Sequence, residues 1–226
     1  MFNLFSKTTQ SSVDLAERIF EYRAYQPYVN ECPDKEVRIA CKNCKDIQDS
    51  LNKVIEYCGE PTTSRQKYLY AITYAWSRVI YNERAIYYLK EYLSGDLYPK
   101  YTNTEAKKIL HLTEMYGYLI DCYTKDLKYD DALKVCEYFL NNICKKQLSI
   151  HYKKADILRR KNDLNNSILT YEYSKKHITC SDDLNYIDRQ ISDLKNKIQR
   201  KYIFKPKIKE RKRYHIHSDE TFDLEI

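Results

Sequence analysis

Glycine and proline are scarce in this chain of 226 residues, with three glycines (Gly59, Gly95, Gly117) and five prolines against average usages of about 7 % and 5 %. A many-stranded β-protein needs more of both to close its turns, so helices joined by short polar turns are expected. No window approaches the roughly 20 apolar residues of a membrane span. The opening residues 1–7 are too short, and the residues after them too polar, for a signal peptide. A cytoplasmic protein is therefore expected, with no membrane among its partners and with its eight cysteines reduced. There is no phosphate-cradling glycine loop, no HExxH and no nucleophile elbow. The five histidines lie apart except for His215 and His217. An enzyme is not expected on these motifs, nor a cofactor, although a site assembled from dispersed residues would leave no motif.

What is present is charge of uneven distribution. The net charge is +7, yet ten basic residues against one acid, Glu210, fall between Lys195 and Arg213, and four acids occupy residues 214–226. The first 194 residues are nearly neutral, so the basic character belongs to one C-terminal stretch.

Apolar residues recur at helical spacing along the rest. A first helix opens near Ser12 with Leu15, Ala16, Ile19 and Phe20 on one side. From an Asp34 N-cap, Val37, Cys41, Cys44, Gln48, Leu51, Ile55 and Cys58 form one narrow seam and predict a single long helix. Gly59 and Pro61 stop it. Helices are predicted from Thr63 and from Asn82, then a fifth after the capping-box spacing Thr102-Asn103-Thr104-Glu105. A sixth pairs with the fifth, a seventh and an eighth repeat that pair, and a ninth helix from Ser181 reads as a terminal cap.

Residues 129–133 align with residues 164–168, which places Ala132 and Ser167 35 residues apart, near the period of about 34 of a helix-turn-helix repeat. Tyr116, Leu119, Ile120, Tyr123, Ala132 and Cys136 have the spacing W-x2-L-G-x2-Y, A-x3-F. His151, Lys154, Ala155, Leu158, Ser167 and Tyr171 repeat it, and Leu69, Ile72, Thr73, Trp76, Ala85 and Leu89 form an earlier unit. Ala85, Ala132, Ala155 and Ser167 would let paired helices approach, with Trp76, Tyr123 and Tyr171 filling larger gaps.

Over residues 66–178 the chain resembles tetratricopeptide repeats. It departs from them in Lys154 at a usual leucine, Ile120 at the packing glycine, the insert between Gly95 and Thr104, and the missing closing proline. The resemblance implies an all-α, TPR-like α-solenoid of antiparallel helix pairs, with an N-terminal helical portion over 1–61, repeats and a capping helix over 62–202, and a flexible basic and acidic tail over 203–226. It also implies a scaffold that holds another protein or a peptide on its concave face, as an adaptor, assembly factor or peptide-responsive regulator. The groove positions carried over are Lys67, Tyr70, Tyr74 and Arg78, then Asp121 and Lys125, then Tyr152, Asp156, Arg159 and Arg160. The family's carboxylate-gripping Lys and Asn set is not recognisable, because Tyr70 and Tyr74 stand in its place.

Two other patterns stand out. Cys41 and Cys44, flanked by Cys32 and Cys58, resemble thiolate ligands for zinc, but they share the seam of Val37, Leu51 and Ile55 and read as core, so no metal is expected. Lys205, Lys207, Lys209, Arg211, Lys212 and Arg213 offer the alternative function, a weak, salt-sensitive contact with nucleic acid phosphates.

Overall fold

A computed structural model of the chain describes residues 10–178 and 180–203. The described residues form ten α-helices and no strand, and the all-α expectation holds. The helices are α1 (Gln10–Tyr22), α2 (Lys35–Cys41), α3 (Ile47–Cys58), α4 (Ser64–Trp76), α5 (Asn82–Leu93), α6 (Glu105–Lys125), α7 (Tyr129–Asn142), α8 (Leu148–Arg160), α9 (Leu164–Lys175) and α10 (Ser181–Ile203). None of them is long and apolar enough to cross a membrane. The chain from residue 204 onward, with most of the expected tail, lies outside the described residues.

The single long helix predicted over 34–58 is two helices. The apolar seam runs through the break, which is why periodicity alone misses it. Asp46 caps a fresh start by accepting from the Asp49 N–H at 2.9 Å, while the Asp49 carboxylate accepts from the Lys45 N–H at 2.8 Å. The carbonyls released at the break find donors on another segment, the Gln26 backbone N–H to Cys44 at 2.9 Å and the Gln26 side chain to Lys42 at 3.2 Å.

The other helix ends follow the sequence. Asp34 accepts from the N–H groups of Glu36 and Val37. Thr63 and Gln66 form a reciprocal capping box, and the Gln66 amide also donates 2.8 Å to the Cys58 carbonyl, joining the end of α3 to the start of α4. Gly59, at φ 68° and ψ −158°, takes a positive-φ conformation open essentially to glycine and ends α3. Thr104 caps α6 and Asp163 caps α9.

Each helix from α3 onward packs on the next, and α1 lies on α3 and α4. Among next-nearest neighbours α4 touches α6 and α6 touches α8, whereas α5 and α7, or α7 and α9, do not touch. α4 is covered on nearly every side, with Tyr68, Leu69, Ala71, Ile72, Tyr74 and Ala75 all buried. The small residues Ala85, Ala132, Ala155 and Ser167 are each 0 % exposed. Ser167 Oγ donates to the Ala155 carbonyl at 2.8 Å and fixes α9 against α8. Trp76 departs from expectation. It is 39 % exposed, with the Arg23 guanidinium 4.4 Å from its ring, and Phe20 meets its edge.

A buried carboxylate ties α1 to α4 and to the segment before α6. Glu17 of α1 accepts from Arg65 Nε at 2.9 Å and from Lys100 Nζ at 2.6 Å, although it is only 7 % exposed. The insert that separates the first two units therefore has a structural use. Its Tyr98 and Tyr101 pack with Tyr68, Tyr92 and His111 in one aromatic cluster.

The turns between helix pairs adjoin at one end of the array. Lys125 Nζ donates to the carbonyls of Arg78 at 2.6 Å and Val79 at 2.8 Å. Asn82 donates to the Cys122 carbonyl at 2.9 Å and to Asp126 at 2.6 Å. Lys161, in the α8–α9 turn, pairs with Asp130 at the start of α7. The C-terminal half of α10 closes this side, with Lys195 and Gln199 sharing a hollow with Asn165 of α9.

Candidate partner-binding surface

The sequence-predicted residues separate into three groups. On α4, Lys67 pairs with Glu91 of α5 at 3.1 Å. Tyr70 and Tyr74 pack on Tyr88 of α5, with ring centroids 4.9 and 5.0 Å apart, and Tyr74 is only 9 % exposed. Burial raises the Tyr70 hydroxyl to about 12. These three face the neighbouring helix and not an open groove, because α4 lies inside the array. Arg78, just past the end of α4, turns the other way and lies 5.7 Å from the Tyr118 ring of α6.

The second group comes together. Asp121 and Lys125 of α6 and Asp156 and Arg160 of α8 line one cleft of about 320 Å³, with Ile120 and Ile157 beneath and Thr124 and Lys153 beside them. Lys153 pairs with Asp121 across the two helices. Gly117 lies under that lysine, and a Cβ there would meet Lys153 Cε at 3.5 Å. Asp156 accepts from Arg160 Nε at 2.7 Å and pairs with Arg159. Burial favours the neutral acid, but hydrogen bonds from Arg160 and Arg159 outweigh it and hold the Asp156 carboxyl below its usual range.

The third group is Tyr152, which points toward α10. Its ring lies 5.7 Å from Tyr186 and 6.3 Å from Tyr171, and its buried hydroxyl has no hydrogen-bond partner.

Sequence reasoning missed Glu114, Tyr118 and Lys153. Glu114, Tyr118, Asp121 and Lys125 succeed each other at steps of three and four along α6, so the stripe was readable once Asp121 had been chosen. Tyr118 receives Arg78 from α4 and its hydroxyl donates to Glu114 at 3.3 Å. The open face thus runs from Arg78 across α6 to α8, alternating cations and carboxylates around one tyrosine. No protein-family model, curated protein or solved structure matches the chain. What the surface can do must be argued from these side chains.

The chemistry available is recognition. Paired but half-exposed guanidinium and carboxylate groups can exchange partners with a ligand at little desolvation cost, and they offer forked donors beside acceptors. A larger hollow of about 550 Å³ opens on the other side of α8, floored by Leu140, Leu158 and Leu169, and holds none of the predicted residues. The cysteines of the suspected metal pattern, Cys32, Cys41, Cys44 and Cys58, are all buried. Burial pushes the thiols of Cys44 and Cys58 up to about 12. Among the described residues no group of three or more His, Cys, Asp or Glu is placed to hold a metal ion. The proposed phosphate contacts, Lys205 to Arg213, and the His215 and His217 pair lie outside the described residues.

Proposed function

We propose that the chain is a TPR-like helical scaffold, a binding protein and not an enzyme, that holds an extended peptide segment of another protein on the face shared by α4, α6 and α8. The cleft uniting Asp121, Lys125, Asp156 and Arg160 carries this reading, since four positions chosen from the repeat template meet at one place. The packing supports it. From α4 onward, alternate helices touch as α4 with α6 and α6 with α8, whereas α5 and α7, or α7 and α9, do not, which fits an array curved toward the α4, α6 and α8 side with α10 over its last pair. A ligand crossing from Tyr118 to Arg160 would meet an aromatic ring, then acceptors and donors in alternation, a pattern suited to peptide amides and mixed charges. The resulting role is adaptor or assembly factor.

The test is selection of binders from a random-peptide display library, then affinity measurement with Asp121→Lys/Arg160→Glu. Selected peptides should lose about tenfold or more in affinity while circular dichroism stays unchanged. Undiminished affinity in the charge-reversed chain, or no enriched peptide, sinks the assignment.

A further inference from the structure

Large apolar side chains are exposed very unevenly at the two ends of the helices. At the end formed by the α4–α5 and α6–α7 turns, Val79 is 80 % exposed, Ile80 60 % and Leu127 70 %. Trp76, the last residue of α4, is also exposed beside the α4–α5 turn, with the Arg23 guanidinium 4.4 Å from its ring. At the opposite end, the turns over 94–104, 143–147 and 176–178 contain no exposed large apolar residue among those described; Leu97, Tyr98, Tyr101, Ile143 and Ile178 are tucked against the core. Folding does not require the exposed set. Leu127 holds a left-handed backbone, φ 60°, which costs a leucine more than the asparagine found at the equivalent turn, Asn162 with φ 65°. An exposed leucine in a position that penalises it has no packing reason to be there.

The charges beside these tips are mainly cationic. Arg84 stands exposed at the start of α5, Arg78 and Lys125 sit between the two turns, and Lys197 and Arg200 are exposed where α10 reaches the same end, beside Lys195, which pairs with Glu172 of α9. Five carboxylates, Glu83, Asp126, Asp130, Asp131 and Asp163, moderate this field, and Lys128 and Lys161 are paired with Asp126 and Asp130. The sequence after α10 continues with six more basic residues through Arg213.

We infer that this end of the array docks on an anionic lipid surface, inserting Val79, Ile80 and Leu127 while the cations meet the phosphate headgroups. Separate apolar tips on adjoining turns form a protruding edge, which fits the soft boundary of a bilayer, and Trp prefers its headgroup level. Clustered cations next to them add attraction to acidic lipids. A nucleic acid offers phosphates but no apolar layer for Val79 or Leu127. Such docking needs no spanning helix, and it goes beyond the sequence-based expectation of no membrane, which rested on the lack of a spanning segment. Arg78 and Lys125 adjoin both faces, but Val79, Ile80 and Leu127 line no part of the Asp121–Arg160 cleft, so this inference does not depend on the function proposed above.

Trp76 is the single tryptophan of the chain and lies at the docking end, so its emission reports the contact. The full chain is titrated with vesicles of phosphatidylcholine alone and of phosphatidylcholine with phosphatidylserine, with sedimentation and Trp76 fluorescence as readouts. Binding and a blue shift are expected only with the anionic vesicles. Val79→Ser/Ile80→Ser/Leu127→Asn should weaken binding about tenfold or more with unchanged helicity and a thermal midpoint no lower than that of the wild type. Vesicle binding without a blue shift and indifferent to the triple variant would reduce the contact to charge alone and overturn the inference, as would no vesicle binding at all. Equal competition by single-stranded RNA with tip-independent affinity would point to polyanion binding and also overturn it. A wild-type dimer that the triple variant converts to monomer, without lipid binding, would reassign the tips to self-association.

Discussion

Leu127 and Asn162 occupy the same place in successive helix pairs, 35 residues apart, with φ 60° and 65°. The hydrogen bonds around them repeat as well, from the Lys128 N–H to Tyr123 and from the Asp163 N–H to Leu158, both at 2.9 Å. The period first seen in side-chain spacing is therefore also a period of backbone conformation. Replacing Leu127 by Asn removes the left-handed penalty and sacrifices no burial, since the leucine is 70 % exposed. A gain of about 1 kcal/mol is expected, read as a higher urea midpoint at constant slope.

Glu17→Gln should cost stability. The neutral amide leaves Arg65 and Lys100 without their shared carboxylate at a site where Glu17 itself is 7 % exposed. A loss of about 2 kcal/mol is expected, moderated because Lys100 is 45 % exposed and can rehydrate. Equilibrium urea denaturation checks this. A change within a few tenths would mean that water already screens the cluster.

Burial lowers His111 to about 4, and its Nε2 shares a 2.7 Å hydrogen bond with the Tyr92 hydroxyl. The unfolded chain binds a proton near the ordinary value of about 6.5, whereas the folded chain resists protonation until about pH 4. The His111 contribution is thus intact above pH 6.5, is lost as the pH falls from there toward 4, and changes no further below. It amounts to about 3 kcal/mol across that window. His111→Phe should flatten this part of the stability profile, measured by denaturation between pH 7 and 4.

Two substitutions at Ser167 separate hydrogen bonding from close approach. Ser167→Ala loses the bond to the Ala155 carbonyl and should cost about 1 kcal/mol. Ser167→Leu forces α8 and α9 apart at a site with 0 % exposure, and should cost about 3 kcal/mol or more. Similar losses from both, measured by urea denaturation, would show that the pair yields easily.

Helix positions were legible because capping residues and apolar stripes agree: Asp34 and Thr63 start helices where the sequence places them, and α6 is capped by Thr104, two residues past the Thr102 cap that the capping-box spacing implied. The interruption between Cys41 and Ile47 was not, since its cause is a tertiary donor, Gln26, outside the helical pattern. The pair Asp46 and Asp49 was the available local sign. For the candidate face, the template positions Asp121, Lys125, Asp156 and Arg160 come together in one cleft, whereas Lys67, Tyr70 and Tyr74 lie against α5. Their spacing on α4 matches the others, yet α5 covers that side of α4 with Glu91 and Tyr88. Periodicity identifies which residues share a side of a helix, and it says nothing of which neighbour lies opposite.

The contacts of Glu17 also bear on how the chain comes together during synthesis. Its partners lie 48 and 83 residues downstream, so α1 is made long before either cation exists. Closing those loops is entropically slow compared with forming each helix hairpin further along. The Glu17 carboxylate is therefore secured only after the insert near Lys100 has emerged, well after α1 can pack on α3.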